Sequence, residues 1–176
     1  MSAESDVDLQ KAKTFFQYGN EAAQKSNYDY AIDMYRQACK LAPGQLIYRQ
    51  SLRGAQRRKF NNEPAKVGML AGARNQPIRM RARSARSKGQ YNHALEICEE
   101  AFANNPWDIA TAREAAEAAE QFNLKPLAVW FIESVWAQAK DADFFRFAAS
   151  VYERSELWEK AINAWEQVKK LDSNDE

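Results

Sequence analysis

Histidine occurs once, at His93, and cysteine twice, at Cys39 and Cys98. One imidazole leaves no Ser/His/Asp set to assemble, and two distant thiols make neither a disulfide framework nor a zinc site. No GxGxxG and no GxxxxGK[ST] run is present to cradle a phosphate. Acid pairs such as Glu99–Glu100 are expected on solvated helix faces rather than in a shared pocket. Six Gly and five Pro are few and clustered, which argues against a turn-rich sandwich or barrel. No apolar run approaches the ~18 residues of a membrane span. The opening MSAESDVDLQK has neither the basic nor the apolar region of a secretory signal. These absences point to a non-enzymatic helical protein of a reducing compartment, soluble and cytoplasmic, with no cofactor and no metal. The 176 residues, 45% apolar and 28% charged, suffice for a core and exclude wholesale disorder.

Charge is present but unevenly placed. The net +1 hides a middle stretch, residues 48–92, with twelve Lys/Arg against the single acid Glu63. Residues 93–176 reverse this, with eight Lys/Arg and seventeen Asp/Glu. Such a basic third implies an anionic ligand or an acidic part of the same fold packed against it.

A small residue followed four later by a bulky one and seven later by a small or β-branched one recurs along the chain. The sets are Ala31/Tyr35/Ala38, Ala94/Cys98/Ala101, Ala128/Ile132/Val135 and Ala161/Trp165/Val168. The last three alanines stand 34 and 33 residues apart. Each unit reads as two amphipathic helices joined by a tight polar turn. Tyr28, Tyr35, Trp130, Trp136, Trp158 and Trp165 are expected in the core, with Cys39 and Cys98 as small buried hydrophobes. The run LIYRQSLRGAQRRKF reads as a helix. NNEPAKVGMLAGARNQP after it, with Gly68 and Gly72, reads as at most two turns near 64–72.

The unit FxxYGNxAxxxxxYxxAxxxYxxAxxLAP over residues 15–43 resembles a tetratricopeptide (TPR) repeat. Phe15, Tyr18, Gly19, Ala22, Tyr28, Ala31, Tyr35, Ala38 and Pro43 carry the resemblance, with Ala22 where the family has a tyrosine. The unit from Phe145 is similar, through Tyr152, Trp158, Ala161 and Trp165, with Ser173 in place of the closing Pro. The resemblance implies an all-α, right-handed superhelical solenoid of antiparallel helix pairs. Its units are 12–45, then 46–74 as either a degenerate basic repeat or a helix plus loop, then 75–108, 109–141 and 142–176, after a flexible segment 1–11. A repeat array of this kind buries its stripes between neighbours and offers a concave surface to a protein partner.

In the family, first helices line that surface. The resemblance places there Lys13 and Asn20, then Arg79, Arg83 and Arg86, then Arg113, Glu117 and Glu120, then Arg146, Ser150 and Arg154. Phe16 stands where chaperone-binding members carry a clamp lysine, which argues against that ligand. Two readings of the arginines compete. They grip an acidic or extended peptide through bidentate contacts, or Arg83 and Arg86 pair with Glu117 and Glu120. A second basic run, Arg49, Arg53, Arg57, Arg58 and Lys59, makes docking on nucleic acid the alternative function, without interleaved aromatics or a recognised motif to support it. On the last helix Trp158, Ala161, Ile162, Trp165 and Val168 form one wide stripe, which implies a further contact there, self-association included.

Overall fold

The computed structural model describes residues 5–172; residues 1–4 of the expected flexible segment, and Ser173, lie outside them. The described residues form helices and no strand: α1 (Asp6–Gln24), α2 (Tyr28–Leu41), α3 (Leu46–Lys59), α4 (Ala71–Ser87), α5 (Tyr91–Asn104), α6 (Ile109–Gln121), α7 (Lys125–Val135), α8 (Ala142–Arg154) and α9 (Trp158–Asp172), with 3-10 turns at Pro64–Lys66 and Trp136–Gln138. They divide into two compact units, one ending at Pro106 and one beginning at Trp107. The helix α1 starts within the segment 1–11. The Ser5 hydroxyl caps it by accepting the Asp8 N–H at 3.1 Å, and Asp6 and Asp8 favour the positive end of the helix.

Four helix pairs, α1/α2, α4/α5, α6/α7 and α8/α9, are closed by one kind of turn. A residue of positive φ follows each first helix: Ser26, Gly89, Asn123 and Glu156. The next N–H then reaches back five residues: Asn27 to Ala22, Gln90 to Ala85, Leu124 to Ala119 and Leu157 to Tyr152, at 2.8–3.0 Å. That bond satisfies a carbonyl the helix end would otherwise leave open, the Schellman arrangement. The close-approach alanines Ala31, Ala94, Ala128 and Ala161 are all buried.

The helix α3 ends with the same bond, Asn62 N–H to the Arg57 carbonyl, but both Asn61 and Asn62 have positive φ. The second left-handed residue and Pro64 divert the chain, and no second helix follows; only the 3-10 turn forms. With that helix missing, α2 and α3 both pack on α5. The helix α4 then begins at Ala71 and carries Pro77 in its interior.

In the first unit Ala22, Ala31, Ile32, Tyr35, Cys39, Leu52 and Ala55 form the core of α1, α2 and α3, with Phe16 and Tyr48 against it. Gly19 is required there: a Cβ at this position would meet the Tyr35 ring at 2.5 Å. In the second unit buried alanines of α6 (Ala112, Ala115, Ala116, Ala119) admit Phe131, Ile132 and Val135 of α7, and Trp136 lies among Phe144, Phe145 and Tyr152. The expected aromatic core needs correction at the last helix. Trp158 and Trp165 are 61% and 43% exposed, because no described helix of the second unit covers that face of α9.

Candidate peptide groove

The basic run on α3 is not the surface patch expected of it. Arg49 and Arg53 are almost fully buried. Arg49 Nη1 donates to Glu99 Oε1 at 2.9 Å and Arg53 Nη2 to Glu99 Oε2 at 3.3 Å. Arg53 also donates to Gln56 Oε1 and to the Pro106 carbonyl, and its guanidinium lies 3.3 Å from the centre of the Phe102 ring. Burial pulls the Arg53 pKa down to about 10, with the adjacent Glu99 opposing the shift. The reason is the lost helix: α3 reaches α5 directly, and the meeting stripe carries charge of both signs. Glu99 was expected in water beside Glu100. Its place four after Leu95 and three before Phe102, on the apolar stripe of α5, is the signal that it is interior. Only Glu100 is at the surface, where it accepts from Arg81 at 3.0 Å. Of the remaining run, Arg57 is half-buried and Arg58 and Lys59 are exposed, Lys59 bonded to Asp29.

The other expected residues of the first unit divide between packing and surface. Lys13 is exposed, whereas the Asn20 amide oxygen accepts from the Tyr35 hydroxyl at 2.9 Å. On α4, Arg83 is exposed and Arg79 and Arg86 are half-buried along one stripe.

In the second unit, first helices α6 and α8 bound a groove of about 790 Å³ lined by Glu117, Glu120, Gln121, Lys125, Phe147, Ser150 and Arg154. Arg113 lies over the Phe147 ring, 4.9 Å from its centre. Arg154 forks onto Glu120, Nε to Oε1 and Nη2 to Oε2, both at 2.9 Å. That fork raises the Arg154 pKa above its ordinary value. Lys125 donates to the Arg154 carbonyl at 2.8 Å, tying the α7 start to the α8 end. Ser150 donates to the Arg146 carbonyl of its own helix. Both oxygens of Glu120 accept from Arg154 within the second unit. Arg146 is drawn elsewhere, donating to Asp143 and to Asp172, each at 2.8 Å. Sequence reading missed Phe147 and Lys125; Phe147, half-buried between Arg146 and Ala148, follows the buried Phe144 and Phe145 closely, and nothing in the sequence separates it from them as a groove residue.

The described residues hold no cluster of His, Cys, Asp and Glu suited to a metal ion, and no helix among them is long and apolar enough to cross a membrane. No protein-family model and no curated protein matches the chain. Among solved structures it is similar to "MamA RS-1 ArsTM double mutant", at 13% identity over 94% of this chain and 77% of that one, with a TM-score of 0.46. It is also similar to YrrB, titled a TPR protein with an unusual peptide-binding site, at 16% identity over 89% and 84% of the two chains, with a TM-score of 0.47. The helix pairs of this chain repeat along the sequence. Their turns at Gly89, Asn123 and Glu156 recur at the 34- and 33-residue spacing of the alanines.

Proposed function

We propose that the chain is a protein-interaction module that works by binding, and that an extended peptide segment lies in the groove between α6 and α8. The observation that carries this reading is the groove's make-up: an aromatic floor at Phe147 between charged walls already held in place. The Arg154–Glu120 fork and the Arg113–Phe147 stack fix these side chains before a ligand arrives, which lowers the ordering cost of binding. Carboxylates and bases alternate along the wall, so a segment of mixed charge with one apolar side chain over Phe147 fits. Acidic preference is a separate proposal that rests on the Arg79, Arg83 and Arg86 stripe of α4. The unbridged, buried Cys39 and Cys98 suit a reducing compartment, the cytoplasm in our reading. Nucleic-acid docking is not favoured, since Arg49 and Arg53 are withdrawn from its patch.

A displayed library of extended peptides, selected on the whole chain, tests the groove. Ser150→Arg fills it without removing a core contact. Selected peptides should lose binding to this variant while its helicity and melting stay as in the parent. Undiminished binding would rule the groove out. Loss on Arg83→Glu, confined to acidic peptides, is the outcome expected of the α4 stripe.

A further inference from the structure

The helix α9 repeats the register of α2. Tyr28, Ile32 and Tyr35 correspond to Trp158, Ile162 and Trp165, each 130 residues later. On α2 this stripe is covered: Ile32 and Tyr35 are buried beneath Tyr48, Leu52 and Ala55 of α3, spaced at i, i+4 and i+7. On α9 the same stripe is open, with Trp158, Ile162 and Trp165 61%, 59% and 43% exposed. The Trp165 ring is nevertheless fixed, its Nε1–H donating to Glu153 at 2.8 Å. Among the described residues, α1 offers a helix face of the kind that covers such a stripe. On α1, Val7 and Tyr18 are exposed and Phe15 half-buried, in line with Lys11.

We propose that the α9 face of one copy takes the α1 face of a second copy, in the way that α3 covers α2 within the chain. Charge separates this contact from an α9-to-α9 one. The unit bearing α1 carries seventeen Lys/Arg and ten Asp/Glu; the unit bearing α9 carries eight and fourteen. Head-to-tail contact brings unlike units together, and Lys11 meets a helix edged by Glu159 and Glu166. An α9-to-α9 contact brings two acidic units together. The open side chains of α9 amount to on the order of 350 Å², given the 150–250 Å² that a buried aromatic covers. A contact of that size lies well below a standard stable interface. The association is therefore weak and deepens with concentration. Because the two faces differ, it is heterologous and need not stop at a dimer.

Sedimentation velocity of the chain at low salt, from about 10 μM to about 1 mM, reads the outcome. The parent should gain mass with concentration, and added salt should reduce the gain. Ile162→Glu blocks one face and Tyr18→Glu the other; Trp158→Lys and Val7→Glu serve if either loses helicity. Each variant alone should stay monomeric, and an equimolar mixture should form a 1:1 dimer and nothing larger. A parent that is monomeric throughout overturns the proposal. So does association of Tyr18→Glu alone, or a mixture that stays monomeric.

Discussion

At the scale of single residues, Glu99 has the largest consequence. It faces Arg49 and Arg53 in the interior, and removing it leaves two buried guanidiniums without their carboxylate. Glu99→Ala should cost about 3–5 kcal/mol, the range for breaking a buried pair from one side. Urea unfolding measures it, and a change below ~1 kcal/mol would contradict the buried network. Cys39 governs a pH effect. Burial pushes its thiol from 9.0 up to about 12, Glu99 adding to the rise and Arg49 and Arg53 opposing it. The unfolded chain releases this proton near pH 9, the folded one near 12, so the stabilisation is complete below pH 9 and lost as pH rises. Tyr35, Tyr48 and Tyr152 are shifted upward from 10.0, adding the same trend above pH 10, whereas the lowered Arg53 acts in the opposite sense there. Between about pH 9 and 10 the slope therefore belongs mainly to Cys39. The urea midpoint should fall across that interval, and Cys39→Ala should flatten the fall.

At the scale of elements, Pro77 lies inside α4 although proline supplies no N–H to the ladder. Pro77→Ala should stabilise the chain by about 1–3 kcal/mol, visible as a raised melting temperature. Exchange of amide hydrogens should be fast over 61–70 and slow from Asn75 onward, because Asn75 is buried and donates to the Ala101 carbonyl. Protection over 61–70 equal to that over 31–40 would contradict this. The sequence alone discloses the paired helices well. Alanine spacing and polar turns are local signals, and Ala31, Ala94, Ala128 and Ala161 are buried as their spacing requires. The break after α3 is less legible, because it depends on two successive left-handed asparagines rather than on composition. Arg49 and Arg53 show why charge runs mislead. Four-residue spacing places side chains on one stripe, but whether that stripe meets water depends on a neighbour distant in sequence. In the groove, Glu117, Glu120, Ser150 and Arg154 come together from two helices. Arg146 leaves for Asp172, a contact across a helix pair that spacing within one helix cannot disclose.

At the scale of the whole molecule, similar helix pairs raise a problem of their own: any second helix can find more than one first helix of matching shape. A purely apolar stripe between α2, α3 and α5 would accept several of them. The buried Arg49–Glu99–Arg53 cluster accepts only a partner that answers both charges, since any other neighbour would strand an ion in the interior. The cluster that the missing helix brings together should therefore act during folding, by excluding mispaired helices. Replacing all three charges together, by Arg49→Leu, Arg53→Met and Glu99→Leu, should leave equilibrium stability unchanged or raised. The cost should surface as kinetics: refolding by rapid dilution should give the triple variant a lower yield of native monomer than the parent, with the deficit in mispaired, aggregated chains. Equal yields for both proteins would show that fidelity is secured elsewhere in the chain.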